Sequence, residues 1–209
     1  MELKLKDIVD IKLFKEMLDE FYVKSNKHPK HKELEILNYT NRTQNEGKWN
    51  EVTKQCRGLI IKNTDNYEDV IVIERPWEKF FTLKQARSKW VLEDDGTSNN
   101  NIETINIDLN APAEVTDKLD GSLAILYFDG EDLALTTRGD FAGNHSIEYT
   151  NFLRNNKEYY KQAKELKETY PNITFLFEMI SNNSLTAIVY EKEDMVLIGA
   201  VNKITGEYY

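Results

Sequence analysis

The stretch "GSLAILYFDGEDLALTTRG", residues 121–139, restricts the fold more than any other part of the chain. Two apolar runs flank Asp129-Gly130, and this dipeptide between apolar segments is a strong local signal for a β-hairpin. We therefore expect two antiparallel strands with buried apolar side chains. Lys118 and Asp120 stand just before the first of these strands. A hairpin does not require that lysine, so Lys118 is a candidate for chemistry.

Hydrophobic periodicity predicts further elements on both sides of the hairpin. Apolar residues at helical spacing predict one helix over residues 7–24 and a long helix from Asn144 to about Thr169. Residues 93–110 are interpreted as an exposed loop. Short apolar runs predict strands at 34–39, 57–62, 69–75, 173–179, 185–190 and 194–201. Because strand and helix do not alternate regularly, the predicted class is α+β with mainly antiparallel sheets flanked by helices.

Composition indicates a globular protein of the cytoplasm. The 209 residues are 40% hydrophobic, which is enough for a core, and no apolar run is long enough to span a bilayer. Cys56 is the single cysteine, so an intramolecular disulfide is excluded. The N-terminal residues lack the features of a signal peptide. A net charge of -9 argues against a general nucleic-acid coat protein, although residues 74–89 form a locally basic segment.

Lys118 in "KLDGS" has the features of a covalent nucleophile. A lysine amine attacks only when it is deprotonated, so its pKa must be lowered by burial or by neighbouring cations. That requirement predicts a site shielded from water, with other cations or a metal nearby. Asp120 and Gly121 would form the turn that presents the lysine. The alternative is a surface lysine before an ordinary turn, since Lys-x-Asp-Gly is a short pattern.

Three other positions combine charge with an apolar setting. Arg57 precedes Gly58 at the start of an apolar run, where a guanidinium can hold a phosphate or ribose hydroxyl; the alternative is a strand-edge arginine. Lys79 lies among aromatic residues in "RPWEKFF", which suits base stacking and phosphate binding; the alternative is an aromatic core segment. Glu178 interrupts an apolar strand, where a buried carboxylate needs a partner; the alternative is the exposed face of a half-buried strand.

Two further patterns are weaker. His28 and His31 in "HPKH" have the spacing of a metal pair, but no third ligand is evident, and an exposed loop is the favoured interpretation. Cys56 has no histidine and acid pattern that would indicate a cysteine nucleophile, and no Walker-type glycine-rich loop is present.

The order of these segments resembles that of the covalent nucleotidyltransferases, and most closely the RNA ligase 1 family of T-even bacteriophages. The resemblance rests on "CRGLII", "RPWEKFF", "KLDGSL", "TTRGD" and "FLFEMISNNSLTAIVY", with support from "INIDLN" and "TGEYY", and covers roughly residues 35–209. It implies a nucleotidyltransferase adenylylation domain over residues 1–209. It also implies ATP and Mg²⁺ as cofactors. The expected partner is RNA with 5′-phosphate and 3′-hydroxyl ends, with tRNA repair as the family role.

The resemblance implies a role for each matched residue. Lys118 would attack the α-phosphorus of ATP and form a lysyl-AMP phosphoramidate, from which AMP passes to an RNA 5′-phosphate before a 3′-hydroxyl seals the strand. Arg138 in "TTRGD" occupies the place of a family lysine. No residue is assigned as a metal ligand. The nucleotide-binding residues implied by the match are Tyr39, Arg57, Lys79, Phe81, Asp120, Gly121, Arg138 and Glu178.

One departure from the family pattern leaves alternatives open. The family continues with a Glu-Gly-x-Val strand, a Lys-x-Lys strand and a helical C-terminal domain, and no substitutes occur before Tyr209. The chain is then expected to be a natural short form, a fragment, or half of a split enzyme. A catalytically weak module that binds nucleotide or RNA ends is the first alternative function. An adenylyltransferase acting on DNA or capping ends is the second.

Overall fold

The computed structural model describes residues 2–63, 67, 69–82, 111–112, 115–181, 188 and 190–209. Within them, eight strands form two four-stranded sheets, and every strand pairing is antiparallel. The first sheet has the order β1-β2-β3-β4, with β1 at Val23–Lys27, β2 at Leu34–Tyr39, β3 at Arg57–Lys62 and β4 at Ile71–Glu74. The second has the order β6-β5-β7-β8, with β5 at Ser122–Asp129, β6 at Asp132–Thr136, β7 at Ile173–Ile180 and β8 at Asp194–Asn202.

Helices cover the outer face of each sheet. The described helices are a 3₁₀ turn at Leu5–Asp7, α1 at Ile11–Asp19, α2 at Asn41–Glu46, α3 at Glu51–Gln55, α4 at Asn144–Asn155 and α5 at Lys157–Thr169. One buried cluster joins α1 and α3 to the first sheet, and another joins α4 and α5 to the second. A third cluster, which includes Ile36, Ile60, Ile125 and Leu176, lies between the sheets. The layers are therefore helix, sheet, sheet and helix.

The predicted α+β class with antiparallel sheets is confirmed. The hairpin predicted around Asp129-Gly130 is the β5–β6 pair, in which Asp129 faces Asp132 and Gly130 has φ of +71°. Glycine adopts this left-handed conformation without the steric penalty of a side chain. The strands predicted at 34–39, 57–62, 69–75, 173–179 and 194–201 correspond to β2, β3, β4, β7 and β8.

Both helix predictions were wrong in their extent. Instead of one helix over residues 7–24, α1 begins after Asp10, whose side chain accepts the Leu13 N–H at 2.7 Å, and the chain turns at Phe21 with φ of +59°. The long helix from Asn144 is divided at Asn156, whose backbone is extended and whose side chain caps α5. Each break has a capping side chain that satisfies backbone groups which a continuous helix would have paired.

Some predictions fall outside the described residues. The exposed loop predicted at 93–110 lies wholly outside them, as does most of the strand predicted at 185–190, of which Ile188 and Tyr190 are described and are not in a strand. Among the helices of the described part, none combines the length and apolar character that crossing a bilayer would require.

Candidate functional site

Strand ends from both sheets meet at one end of the two-sheet core. Tyr39 ends β2 and Arg57 begins β3 beside it, while Arg138 lies two residues after the end of β6. The 118–121 turn leads into β5, and β7 carries Glu178 opposite Leu123 of that strand. Because these strands are antiparallel, their sequence-distant ends lie together. This end of the core therefore gathers the charged positions that the sequence singled out.

Two glycines allow this close assembly. Gly58 has φ of +91°, and a Cβ atom there would lie 2.5 Å from Ile125 Cδ1 and 3.1 Å from the Cα of Arg138. A Cβ at Gly121 would lie 2.4 Å from the Met179 carbonyl oxygen. Real Cβ atoms do not approach other heavy atoms this closely. The glycines following Arg57 and Asp120 thus bring one sheet against the other, and β5 against β7.

Arg57 and Arg138 form the cationic centre of the site. Arg138 Nη1 donates a hydrogen bond to the Tyr39 hydroxyl, and its guanidinium carbon lies 5.2 Å from the centroid of that ring. Arg57 Nη1 donates to the Trp77 carbonyl at 3.5 Å, and its guanidinium lies 4.9 Å from the Phe80 ring centroid. The pKa of Arg57 is lowered, chiefly by burial, and the charge of Arg138 acts in the same direction. Two neighbouring guanidiniums create a strong local attraction for an anion.

Lys79 adds a third cation against an aromatic wall. Its Nζ donates to the Phe80 carbonyl at 2.6 Å and lies 4.7 Å from the Phe81 ring centroid. Its backbone N–H donates to the Lys54 carbonyl at 2.8 Å, which fixes the segment after β4 to α3. The pKa of Lys79 is lowered by burial and then by the charges of Arg57 and Arg138, so these three cations lie within mutual electrostatic range.

Glu178 is held by the turn that contains the candidate nucleophile. Gly121 N–H donates to Glu178 Oε1 at 3.0 Å. The pKa of Glu178 is raised, chiefly by burial; the Gly121 hydrogen bond and the charges of Lys118 and Arg57 oppose that rise. Strand alternation puts Glu178 on the same face as Leu176, which is fully buried between the sheets. The interpretation as an exposed-face glutamate was therefore wrong.

The structure places Lys118 in the site but not in a shielded position. Lys118 is exposed, because it lies on the segment leading into β5, before the first strand pairing at Ser122. The expectation of shelter from water was therefore wrong for this state of the chain. Asp120 is half-buried: its N–H donates to the Tyr190 hydroxyl at 2.8 Å, and its Oδ2 accepts the Ile188 N–H at 3.3 Å.

Sequence reasoning missed two residues at this site. The Trp49 ring packs edge-to-face against Tyr39 at 5.0 Å and Phe81 at 5.3 Å between centroids. Tyr190 contacts the Asp120 backbone from a segment that was predicted to be a strand. The isolated tryptophan in the polar run "NEGKWN" was the available signal for Trp49, since a large aromatic residue in such a run needs a packing partner.

The arrangement suits a ligand that is both anionic and aromatic. Arg57, Lys79 and Arg138 supply positive charge, and the neighbouring rings supply flat apolar surface. The Gly121 N–H bonds to Oε1 of Glu178. The other carboxylate oxygen of Glu178, Oε2, can accept a hydrogen bond from a hydroxyl group or bind a cation. All residues selected from the sequence lie at this end of the core, in direct contact or in electrostatic range of one another.

A second polar cluster lies at the opposite end of the core. It consists of His28, His31 and Asp129, each of which has a potential metal-ligating atom within 4.8 Å of those of the other two. Among the described residues this is the sole group of three with that property. The predicted loop at "HPKH" is present, with Pro29 and Lys30 exposed, but His28 is 3% exposed, so the interpretation as an exposed residue was wrong for His28. The third group comes from the β5–β6 hairpin. However, His28 Nδ1 accepts the N–H groups of Lys30 and His31. That leaves the ring proton on Nε2, which lies 3.2 Å from the Tyr127 hydroxyl and 3.5 Å from Asp129 Oδ1. Among the described residues Asp129 Oδ1 accepts no hydrogen bond. The protonated Nε2 has no lone pair for a metal ion, so His28 is better described as a clamp between its own loop and Tyr127 than as a metal ligand.

This clamp predicts a loss of stability in mild acid. The pKa of folded His28 is lowered below 6.5, chiefly by burial, with His31 and Lys30 acting in the same direction and Asp129 and Glu33 opposing. The unfolded chain therefore binds the proton more readily, and stability present above pH 6.5 is lost as the pH falls through the folded pKa. Urea midpoints between pH 7.5 and about 5 would measure this loss.

The matched variant is His28→Asn, because an asparagine Oδ1 can replace Nδ1 as acceptor for both backbone N–H groups. It should remove the pH dependence in this range, whereas His145→Asn, at a half-exposed histidine on α4, should retain it. An unchanged pH dependence in His28→Asn would show that His28 is not the responsible group.

Two comparisons with known proteins both identify RNA ligases as similar to this chain. A family model described as RNA ligase matches residues 55–209, which includes every site residue above except Tyr39 and Trp49. The chain is also similar to an RNA ligase of Rhodothermus phage RM378, with 24% identity over 163 residues. That alignment covers 69% of this chain and 36% of the relative, so the chain spans well under two thirds of the relative's length.

Proposed function

The chain belongs to the RNA ligase family, and on that premise we propose that it is an ATP-dependent adenylyltransferase domain that charges itself with AMP at Lys118. The observation that carries the proposal is the assembly of Arg57, Lys79, Arg138 and Glu178 around the Lys118–Gly121 turn. We treat residues 1–209 as one domain with the nucleotidyltransferase fold. In this role the domain transfers AMP to an RNA 5′-phosphate. A 3′-hydroxyl then attacks that phosphate and displaces AMP.

Each site residue has a part in binding ATP. Arg57, Lys79 and Arg138 neutralise the phosphates, and phosphoryl transfer depends mainly on such positioning and charge neutralisation. Tyr39 orients Arg138 through its hydroxyl, while Phe81 supplies a stacking surface for the base. Glu178 accepts a hydrogen bond from a ribose hydroxyl at Oε2, the carboxylate oxygen that is not bonded to the Gly121 N–H. Asp120 holds the 118–121 segment against Ile188 and Tyr190.

The covalent step is a displacement at the α-phosphorus. The Lys118 ammonium first loses a proton to solvent, which its exposure permits, and the free amine then attacks. A P–N bond forms, the bond to the bridging oxygen of the β-phosphate breaks, and pyrophosphate leaves with that electron pair. Loss of the second amine proton gives the phosphoramidate. Nearby Arg57 and Arg138 stabilise the negative charge that develops on the phosphates.

Mg²⁺ is compatible with the residues of this site. It is usually held by one or two carboxylates together with substrate phosphates and water, and Asp120 and Glu178 provide carboxylates of that kind. When bound, Mg²⁺ would supply charge neutralisation for the phosphates and the leaving group. The protein residues still have to orient the triphosphate, since a metal ion alone does not select the direction of attack.

The exposure of Lys118 supports a second candidate function. An exposed lysine lacks the sheltered setting that covalent attack requires, so a domain with this geometry can bind ATP or a phosphorylated RNA end without forming a covalent bond. Closure over bound nucleotide would be needed to shelter the amine. The two candidates share a binding site and differ in whether the P–N bond forms.

Incubation with Mg²⁺ and ATP labelled at the α-phosphate distinguishes them. In assays between pH 6 and 9, we expect the label to remain on the protein after denaturation and to be released by pyrophosphate. Label at the γ-phosphate should not be retained. ATP binding without retained label at any pH would favour the binding module, and the absence of both would contradict the proposed function. Sealing of a 5′-phosphorylated RNA would then test the complete reaction.

A further inference from the structure

The Lys79 ammonium is enclosed by three aromatic rings, Trp49, Phe80 and Phe81, which we call the aromatic cage. Its Nζ lies 5.7 Å from the Trp49 centroid, 6.0 Å from Phe80 and 4.7 Å from Phe81. All three distances are within the range of cation–π attraction, in which the negative face of a ring attracts a cation. The cage thus holds a side chain of the protein itself at the edge of the phosphate-binding cations.

Trp49 is the member of the cage that comes from a different part of the chain. It lies between α2 and α3, where Gly47 has φ of +65° and the Trp49 N–H donates to the Gly47 carbonyl at 2.7 Å. Its ring is nearly perpendicular to those of Phe81 and Tyr39, at 79° and 78°. Edge-to-face contacts of this kind fix ring orientation. Trp49 therefore connects the Lys79 side of the site to the Tyr39–Arg138 side.

The position of Lys79 needs a stabilising contact. Burial and the positive charges of Arg57 and Arg138 all act against an ammonium there. The described contacts that favour it are the Phe80 carbonyl and the ring faces of the cage. A cation–π contact contributes about 0.5–1 kcal/mol at exposed sites and more when desolvated. The half-buried Trp49 provides the largest of these ring faces. Loss of the Trp49 ring would therefore release the Lys79 side chain toward solvent.

We propose that Trp49 is a positioning residue of the nucleotide site, which holds the Lys79 ammonium and the Phe81 ring in place for the phosphates and the base of ATP. The proposal rests on the function proposed above. Trp49 acts through its neighbours, because its ring packs against both Tyr39 and Phe81. Nothing in the family match assigns this residue, which lies before residues 55–209.

A double-mutant cycle tests the link between Trp49 and Lys79. Trp49→Leu should weaken ATP binding about threefold to tenfold, and Trp49→Phe, which retains a ring face, should restore most of it. In a Lys79→Ala background, Trp49→Leu should cause a clearly smaller loss, because the part that acts through Lys79 is then absent and only the part through Phe81 remains. Calorimetric titration with ATP provides the dissociation constants. Equal losses in both backgrounds would overturn the proposal and indicate general packing.

A control and a second readout separate this inference from the proposed function. Phe152→Leu removes a ring that packs against Tyr159 on the helical layer of the second sheet, and should lower thermal stability without affecting ATP binding. Independently of nucleotide, the Lys79 ε-methylene protons should be shifted upfield by the rings in NMR spectra and should move downfield in Trp49→Leu. An unchanged shift would overturn the positioning role even if ATP binds, whereas absence of ATP binding by the wild type would contradict the proposed function alone.

Discussion

Lys118→Arg should abolish retention of α-labelled AMP while leaving ATP binding nearly unchanged. Arginine keeps the positive charge at residue 118, but its guanidinium is not deprotonated in proteins, so no nucleophile is available. We expect the rate of labelling to fall on the order of 10³-fold or more, as is typical when a covalent nucleophile is removed. Single-turnover labelling measures the rate, and calorimetric titration measures ATP binding. This separation would identify residue 118 as the reacting group and not merely a phosphate contact.

The control for that experiment is Lys157→Arg at an exposed lysine that begins α5, on the far side of the second sheet. It should label at the wild-type rate. Peptide mapping of the wild type should recover AMP on the peptide that contains Lys118. Labelling that persists in Lys118→Arg, or AMP on a different peptide, would assign the nucleophile elsewhere and contradict the proposed mechanism.

Removing Lys167 should destabilise the fold more than any surface change. Lys167 Nζ contacts Glu74 Oε1 at 2.5 Å, and both side chains are only 2% exposed. Thr174 Oγ1 donates to the other Glu74 oxygen at 2.8 Å, so this group joins α5, β4 and β7. Without Lys167 the Glu74 carboxylate would stay buried without that partner, although Lys203 lies in electrostatic range. Breaking a buried pair in this way costs about 3–5 kcal/mol.

Urea unfolding at pH 7 measures the effect of Lys167→Met, which keeps most of the side-chain volume. Replacing both partners, as Lys167→Met with Glu74→Met, should recover part of the lost free energy, since the carboxylate is no longer buried unpaired and only Lys203 loses the Glu74 charge. Lys164→Met breaks an exposed pair with Glu168 on the same helix and should have little effect. If Lys167→Met lowers the free energy of unfolding as little as Lys164→Met does, the buried pair does not hold α5 to the sheets.

The elements predicted well were those with strong local signals. The β5–β6 hairpin follows from Asp129-Gly130 between apolar runs, and β3 and β7 follow from continuous apolar segments. The helix break at Asn156 was missed because a polar residue at that position is compatible with a helix surface, whereas its capping role depends on the extended backbone there. Local propensity therefore predicted the type of each element better than its ends.

The candidate site was predictable where residues lie next to glycines or interrupt apolar strands, as Arg57 and Glu178 do. It was not predictable where contacts depend on tertiary assembly. Asp129 reaches His28 across the two sheets, and Trp49 reaches Phe81 through the packing of α3 against the segment after β4. A single sequence gives the residue types of such contacts but not their partners, because the distances arise only when the sheets pack.

Because Gly58 lies close to Arg138, the distance between the Arg57 and Arg138 guanidiniums depends on how the two sheets pack against each other. Arg57 begins a strand of one sheet and Arg138 lies just after a strand of the other, and the Gly58 backbone meets that of Arg138 where any larger residue would clash. A small slide of one sheet over the other would consequently alter the spacing of the guanidiniums before it exposed much of the interior. Substitutions deep in the shared core, at the fully buried Ile125 for example, should therefore lower ligand affinity as well as the melting temperature.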